Sequence, residues 1–154
     1  SVKSRGLGDV YKRQENINLL KKLDNSVNFN INNKTGKKVI TNFDNEQFNR
    51  LFFNLIKNSI ESIQEKAKKT NKSLKNIDIE INQRRDYITI NLLDTGEGFK
   101  DKKTKDIIRP YYTTKEKGTG LGLSIVDKII NDHNGSIKFL NTNNGAKVQI
   151  ILPK

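Results

Sequence analysis

Cysteine is absent from the 154-residue chain and histidine occurs once, at His133. The first absence excludes a disulfide framework and any thiolate metal site, and it suits a reducing compartment. The single imidazole excludes His-rich metal centres and every catalytic scheme that needs two imidazoles. No apolar run approaches the ~18 to 20 residues that cross a bilayer as a helix, and no basic start with an apolar segment and cleavage site marks a signal peptide. The chain therefore reads as soluble. Its length fits one domain able to bury most of its apolar surface.

What is plentiful is positive charge, with 29 Lys and Arg against 17 Asp and Glu and a net charge of +12. Such a balance allows binding to nucleic acid or anionic lipid. The lysines, however, are spread along the chain among many Asn and Ile residues. Their densest run, Lys66, Lys68, Lys69, Lys72 and Lys75, falls in an expected loop. Hydrophobic residues at 33% allow a modest core and argue against disorder. No nucleic-acid partner is expected.

Residues 1–14 lack apolar periodicity and look like a translated cloning or sequencing adapter, so they are expected to be non-native or disordered. Residues 15–26, with Ile17, Leu19 and Leu20, read as a linker from an upstream helical domain. The domain proper is expected over 27–154. Val27, Phe29 and Ile31 alternate with asparagines as in a half-buried strand; a turn at 33–36 and a second strand at 37–41 follow. Asp44 with Gln47 three residues on forms a capping-box pattern, and Phe43 and Phe48 stand where a hydrophobic staple would place them, so a helix starts near Asn45. Its core stripe is Phe48, Leu51, Phe52, Leu55, Ser59 and Ile63. Ile77, Ile79 and Ile81, then Ile88, Ile90 and Leu92, predict a β-hairpin. Residues 94–122 form a long Gly-, Lys- and Thr-rich stretch that reads as a mobile loop or lid. A helix carrying Leu123, Ile125, Val126, Ile129 and Ile130 follows, ended by Gly135 in a left-handed conformation. A second hairpin, with Ile137 and Phe139 facing Val148, Ile150 and Leu152, closes an α+β fold in which helices cover one face of a mixed or antiparallel sheet.

Three stations carry chemistry. Asn54 and Asn58 lie four apart on the first long helix, so both carboxamides can face one pocket, where a neutral hard oxygen suits a Mg²⁺ that keeps waters and phosphate ligands. Two solvated amides in an asparagine-rich chain would look the same. Asp94, followed by Gly96 and Gly98, sets a carboxylate at a strand end where the backbone can close around a base; an ordinary glycine turn is the alternative. Gly118, Thr119, Gly120, Leu121, Gly122 and Leu123 open the second helix, where backbone N–H groups and the helix N-terminus favour phosphate. Lys115 and Lys117 lie just upstream. No Gly-Lys-Ser/Thr follows, so the loop is not of the Walker kind.

The order and spacing of these stations resemble the N, G1, F and G2 boxes of histidine kinase catalytic domains, which share the Bergerat-type ATP fold with gyrase, Hsp90 and MutL. The resemblance covers about 38–154. It includes Arg109-Pro-Tyr-Tyr-Thr-Thr-Lys115, similar to the family's Pro-Phe-Phe-Thr-Thr-Lys segment, and the helix ending at Asp132-His-Asn-Gly135. It implies a two-layer α/β sandwich with a mixed, mostly antiparallel sheet. It implies ATP and Mg²⁺ as cofactors, with Asn58 as metal ligand and Asn54 as its neighbour. Asp94 would accept the adenine amino group beside Gly96 and Gly98, Lys115 would reach a phosphate, and 118–123 would form the phosphate loop. Asn54 and Lys115 are the implied catalytic residues.

The implied reaction is transfer of the γ-phosphate to a histidine on a separate dimerisation and phosphoacceptor domain, and onward to a response regulator receiver domain. His133, beside a helix end, reads as structural, so no autophosphorylation is expected. The chain is expected to be monomeric and cytoplasmic, from a parent anchored in the membrane. Tyr111 and Tyr112, Arg109 and Glu61 depart from the commoner residues. Glu61 and the Thr-Thr-Lys form resemble the nitrogen-regulation branch of sensor kinases. An ATPase or an anti-sigma-type serine kinase of the same fold is the alternative.

Overall fold

The computed structural model describes residues 22–34, 44–99 and 122–154, with the paired backbone of 5–6 and 40–41. Five strands form the main sheet: β2 (Asn28–Asn33), β4 (Asn76–Gln83), β5 (Tyr87–Asp94), β6 (Ser136–Asn141) and β7 (Ala146–Pro153), in the order β2-β4-β5-β7-β6. Two helices, α1 (Asn45–Lys69) and α2 (Gly122–Asp132), complete the main body among the described residues. Lys66, Lys68 and Lys69 lie in the last turn of α1 rather than in the expected loop, and a helix C-terminus favours such cations. Neither helix is long and apolar enough to cross a membrane.

The sheet is mixed. β4, β5, β7 and β6 pair antiparallel, whereas β2 pairs parallel with β4, Asn28 opposite Asn76 and Asn33 opposite Ile81. Parallel neighbours need a long crossover, and the 25-residue α1 lies between these two in the chain. Of the expected second strand at 37–41, residues 37–39 lie outside the described residues, and Ile40–Thr41 form a strand, β3. It pairs with β1 (Arg5–Gly6) in a separate two-stranded sheet and not with β2. Period-two alternation identified β2 as a strand, but its partner lies 48 residues away, beyond any local signal.

Register explains the core. Ile79 stands opposite Leu92, Leu92 opposite Val148, and Val148 opposite Phe139; one row on, Ile81, Ile90, Ile150 and Ile137 line up in the same way. These residues share one face of the sheet. All but the partly buried Ile137, which packs against them, join Phe48, Leu51, Phe52, Leu55, Ile56, Ile60 and Ile63 of α1 and Val126, Ile129 and Ile130 of α2 in one buried cluster. The opposite face is mainly polar, with Gln149 Nε2 donating to Asn91 Oδ1 at 3.2 Å. The helices therefore cover one face, as the patterning required.

Both helix ends refine the sequence expectations. Asp44 caps α1, its Oδ1 accepting from the N–H groups of Glu46 at 2.8 Å and Gln47 at 3.3 Å. The return bond of a capping box is missing, because Gln47 Oε1 is buried without a partner. Phe43, the other half of the staple, lies outside the described residues. At the end of α2 the left-handed residue is Asn134, φ 57°, and not Gly135. Asn134 N–H donates to Asn131 O at 3.0 Å and Gly135 N–H to Ile130 O at 2.9 Å, the two bonds of a Schellman ending. Asparagine tolerates that conformation because its short amide costs little there.

Candidate nucleotide site

Asp94 is the last residue of β5, and its carboxylate is 6% exposed. Oδ1 accepts from Gly96 N–H at 2.9 Å. The Ser59 hydroxyl and the Ala146 backbone N–H also donate to the carboxylate. Burial pushes the carboxyl above the usual aspartate range; the three hydrogen bonds and the more distant Lys66 ammonium oppose that rise without cancelling it. A desolvated acceptor with fixed donors is preorganised for a ligand that brings a further N–H.

The chain after Asp94 is clamped from two sides. From α1, Ser62 Oγ accepts from Glu97 N–H at 2.9 Å. A Cβ on Gly96 would collide with that hydroxyl and stand 2.7 Å from Ser62 Cβ. Lys69, two turns farther along α1, forms an ion pair with Glu97. From the end of β6, Asn141 Oδ1 accepts from Phe99 N–H at 2.7 Å. Gly98 has φ +81°, a conformation that favours glycine, and a Cβ there would stand 2.7 Å from Asn141 Oδ1. Gly145 packs so closely that a Cβ would collide with Asp94 O.

The remaining described sites meet at the start of α2. A Cβ on Gly122 would stand 3.6 Å from Asn54 Oδ1 and 3.7 Å from Asn58 Nδ2, so both carboxamides face the first turn of that helix. Asn54 Nδ2 donates to Arg50 O at 2.9 Å, which orients the carboxamide with Oδ1 toward Gly122. Leu123 packs against the core and anchors that turn. Because Ser59 touches Asp94 while its neighbour Asn58 faces Gly122, adjacent residues of α1 join the carboxylate to the helix N-terminus. Asn54, Asn58, Asp94, Gly96, Gly98, Gly122 and Leu123 are thus placed around one end of the fold. Lys115, Gly118, Thr119, Gly120 and Leu121 lie outside the described residues, as do Arg109, Tyr111 and Tyr112.

Sequence reasoning missed four contributors: the hydroxyl roles of Ser59 and Ser62, the carboxamide of Asn141, and the close approach of Gly145. Ser59 did carry a signal, since a hydroxyl in an otherwise apolar stripe must find a hydrogen-bond partner once buried. A shallow hollow beside β2, lined by Asn25, Val27, Asn28, Phe29, Asn30 and Asn76, contains no ionisable side chain and competes poorly as a site for a charged ligand.

Residues 43–154 match the family described as histidine kinase-, DNA gyrase B-, and HSP90-like ATPases. The chain belongs to this family. Sporulation kinase C of Bacillus subtilis is 35% identical over 113 residues, which cover 73% of this chain and 24% of that protein. Nitrogen regulation protein NtrY of Azorhizobium caulinodans is 33% identical over 110 residues, 71% of this chain and 14% of that protein. The chain thus spans a quarter or less of these curated relatives. The catalytic domain of histidine kinase ThkA has the same fold, with a TM-score of 0.82 at 24% identity, covering 100% of this chain and 96% of that one. The ATP-binding domain expected from the motifs is therefore borne out. So is the likeness to nitrogen-regulation kinases, alongside an equal likeness to a sporulation kinase.

Proposed function

We propose that this histidine kinase-type domain binds Mg²⁺-ATP and donates the γ-phosphate to a histidine of a separate dimerisation and phosphoacceptor domain, from which a response regulator takes it. The observation that carries the reading is the buried Asp94 carboxylate, held by Gly96, Ser59 and Ala146 at the end of β5. In this role it accepts the adenine amino group, and Gly96 and Gly98 let the backbone close around the base. Residues 118–123 would lie against the phosphates with Lys115, and the α2 N-terminus would favour their charge.

The two carboxamides facing Gly122 fit a magnesium site. Among the described residues no three His, Cys, Asp or Glu side chains gather as metal ligands, so a metal held there would draw its remaining ligands from water and phosphate. A half-turn of the Asn58 carboxamide would bring its oxygen to where Nδ2 now faces Gly122. Bound magnesium would supply charge neutralisation on the phosphates; the chain's part is to position them.

Asn54 supports a kinase over an ATPase. A carboxamide cannot take a proton from water, so this position provides no general base for hydrolysis. His133 Nδ1 lies 2.7 Å from Ile129 O in its own helix ending, which supports a structural role and a phosphoacceptor outside this segment. The domain is proposed to span 27–154 and to act as a monomer unless joined to its dimerising partner.

Titration of ATP, ADP and GTP by calorimetry, with magnesium and with a chelator, tests the reading. Asn58→Ala is expected to lower ATP affinity about five- to tenfold with magnesium, the worth of one ligand contact, and to change it little in the chelator. An equal loss in both conditions would remove Asn58 from the metal.

Acidification gives a second expectation, with opposite signs for binding and stability. The raised Asp94 value means that the folded protein holds this proton more tightly than the unfolded chain, so its contribution to stability is present at low pH and is lost as pH rises through that value. ATP needs the ionised form. As pH falls through the raised value, ATP affinity should therefore drop while the Asp94 contribution to stability grows, and binding should release a proton within that window. Calorimetry in two buffers of different ionisation enthalpy measures the release; proton uptake would overturn the assignment.

A further inference from the structure

The last residue of β6, Asn141, holds the nucleotide loop at a point that the family motifs do not mark. Register places it in the same row as the carboxylate: Asn141 stands opposite Ala146, and Ala146 opposite Asp94. Its side chain is nonetheless turned onto the loop, where Oδ1 accepts from Phe99 N–H at 2.7 Å and abuts Gly98. Two residues earlier, on the same side of β6, Phe139 meets the Phe99 ring edge to face, with centroids 5.4 Å apart. One strand thus grips Phe99 by both ring and backbone. From Phe99 the chain runs into 100–121, the segment that carries Lys115 and most of the phosphate loop.

We propose that Asn141 is a positioning residue for nucleotide binding: its carboxamide oxygen, by holding Phe99 N–H, fixes the Gly98–Phe99 peptide as the far wall of the adenine pocket. The proposal rests on the ATP-binding reading above and adds to it a residue that touches neither base nor phosphate. The physical case is one of geometry. Gly98, at φ +81°, has a glycine's wide choice of conformations, so the peptide after it stays in place only if something holds it. Asp94 and Ser62 secure the peptides at Gly96 and Glu97, and Asn141 secures the next one but one. Without it the loop keeps its hydrogen bonds at its start and only the Phe99–Phe139 ring contact at its end.

The test uses the whole chain, the fluorescent analogue mant-ATP with magnesium, and residue-resolved amide exchange. Asn141→Leu keeps the bulk and removes the acceptor; it is expected to speed exchange at Phe99 N–H at least tenfold and weaken mant-ATP about fivefold, with the melting temperature little changed. Asn141→Asp restores an acceptor and is expected to restore both exchange protection and most of the affinity. A purely structural residue would instead lower the melting temperature and be rescued by neither measure. If the leucine variant fails to fold, Asn141→Ala carries the same test, since it leaves space where leucine could clash. A variant with Phe99 N–H freed but wild-type affinity overturns the proposal, and so does an aspartate variant that regains protection without affinity. A wild-type chain that does not bind mant-ATP overturns the ATP-binding reading itself, a result told apart by the wild-type arm alone.

Discussion

Asp94→Asn is expected to weaken ATP binding by roughly ten- to a hundredfold while leaving the unliganded fold at least as stable at neutral pH. Hydrogen bonds to charged groups contribute about 1.5 to 3 kcal/mol, which converts to that range of affinity. The substitution retains one oxygen, able to keep the Gly96 N–H at 2.9 Å, but turns the other acceptor into a donor. Facing the adenine amino group, that donor has nothing to offer. Stability moves the other way because burial is the largest influence on this carboxyl, and the neutral amide escapes the cost of burying a charge. Loss of binding without loss of stability is what distinguishes a ligand acceptor from a structural acid. GTP should bind poorly to the unaltered chain, since guanine sets a carbonyl oxygen where adenine has its amino group, and two acceptors would oppose each other in a desolvated contact. Equal affinities for ATP and GTP, or an asparagine variant that binds ATP normally, would end the adenine-acceptor role.

How much of this was legible depended on whether the controlling interaction was local in sequence. The hairpin of β4 and β5 announced itself through Ile77, Ile79 and Ile81 answering Ile88, Ile90 and Leu92, and all six are buried. The start of α1 followed from Asp44, whose side chain needs only the two N–H groups just beyond it. The α2 ending was placed to within one residue, the error being which of Asn134 and Gly135 turns left-handed; both are adjacent turn formers, and only the bond from Gly135 N–H to Ile130 O decides it. Partners distant in the chain stayed hidden. Nothing near Asn28 indicates that it will lie parallel to Asn76, and nothing near Asp94 indicates that Ser59 and Ala146 will donate to it. The motif residues Asn54, Asn58 and Asp94 stood out because their types suit metal and base chemistry. The residues that hold them in place were missed, because Ser62, Asn141 and Gly145 look ordinary until the sheet and α1 bring them together.

Gly145→Ala is the harshest test of that hidden support. In the β6–β7 turn, Thr142 N–H donates to Gly145 O at 2.9 Å, Gly145 N–H donates to Thr142 Oγ1 at 3.0 Å, and Lys66 Nζ reaches Asn144 O at 3.1 Å. A Cβ on Gly145 would collide with the Asp94 carbonyl oxygen and stand 2.9 Å from Gly96 N and 3.0 Å from Asp94 C. All three are backbone atoms, fixed by strand pairing and by the Gly96 hydrogen bond, so no flexible side chain can swing aside. The turn must lift or the Asp94 loop must shift, and either movement strains the donation from Ala146 N–H to the carboxylate. Overpacking of this kind costs about 1 to 3 kcal/mol, which for a domain of this size lowers the melting temperature by roughly 2 to 12 °C. Nucleotide binding should suffer more, falling at least tenfold, since displacing a preorganised group by even about 1 Å can cost a hundredfold in function. Asn143→Ala, exposed in the same turn, is the matched control and should change neither quantity appreciably. Scanning calorimetry and ATP titration of the two variants together decide the matter. A Gly145→Ala protein that melts and binds ATP like the control would show that the turn does not brace Asp94, and the clamp described for the nucleotide loop would lose its β6–β7 half.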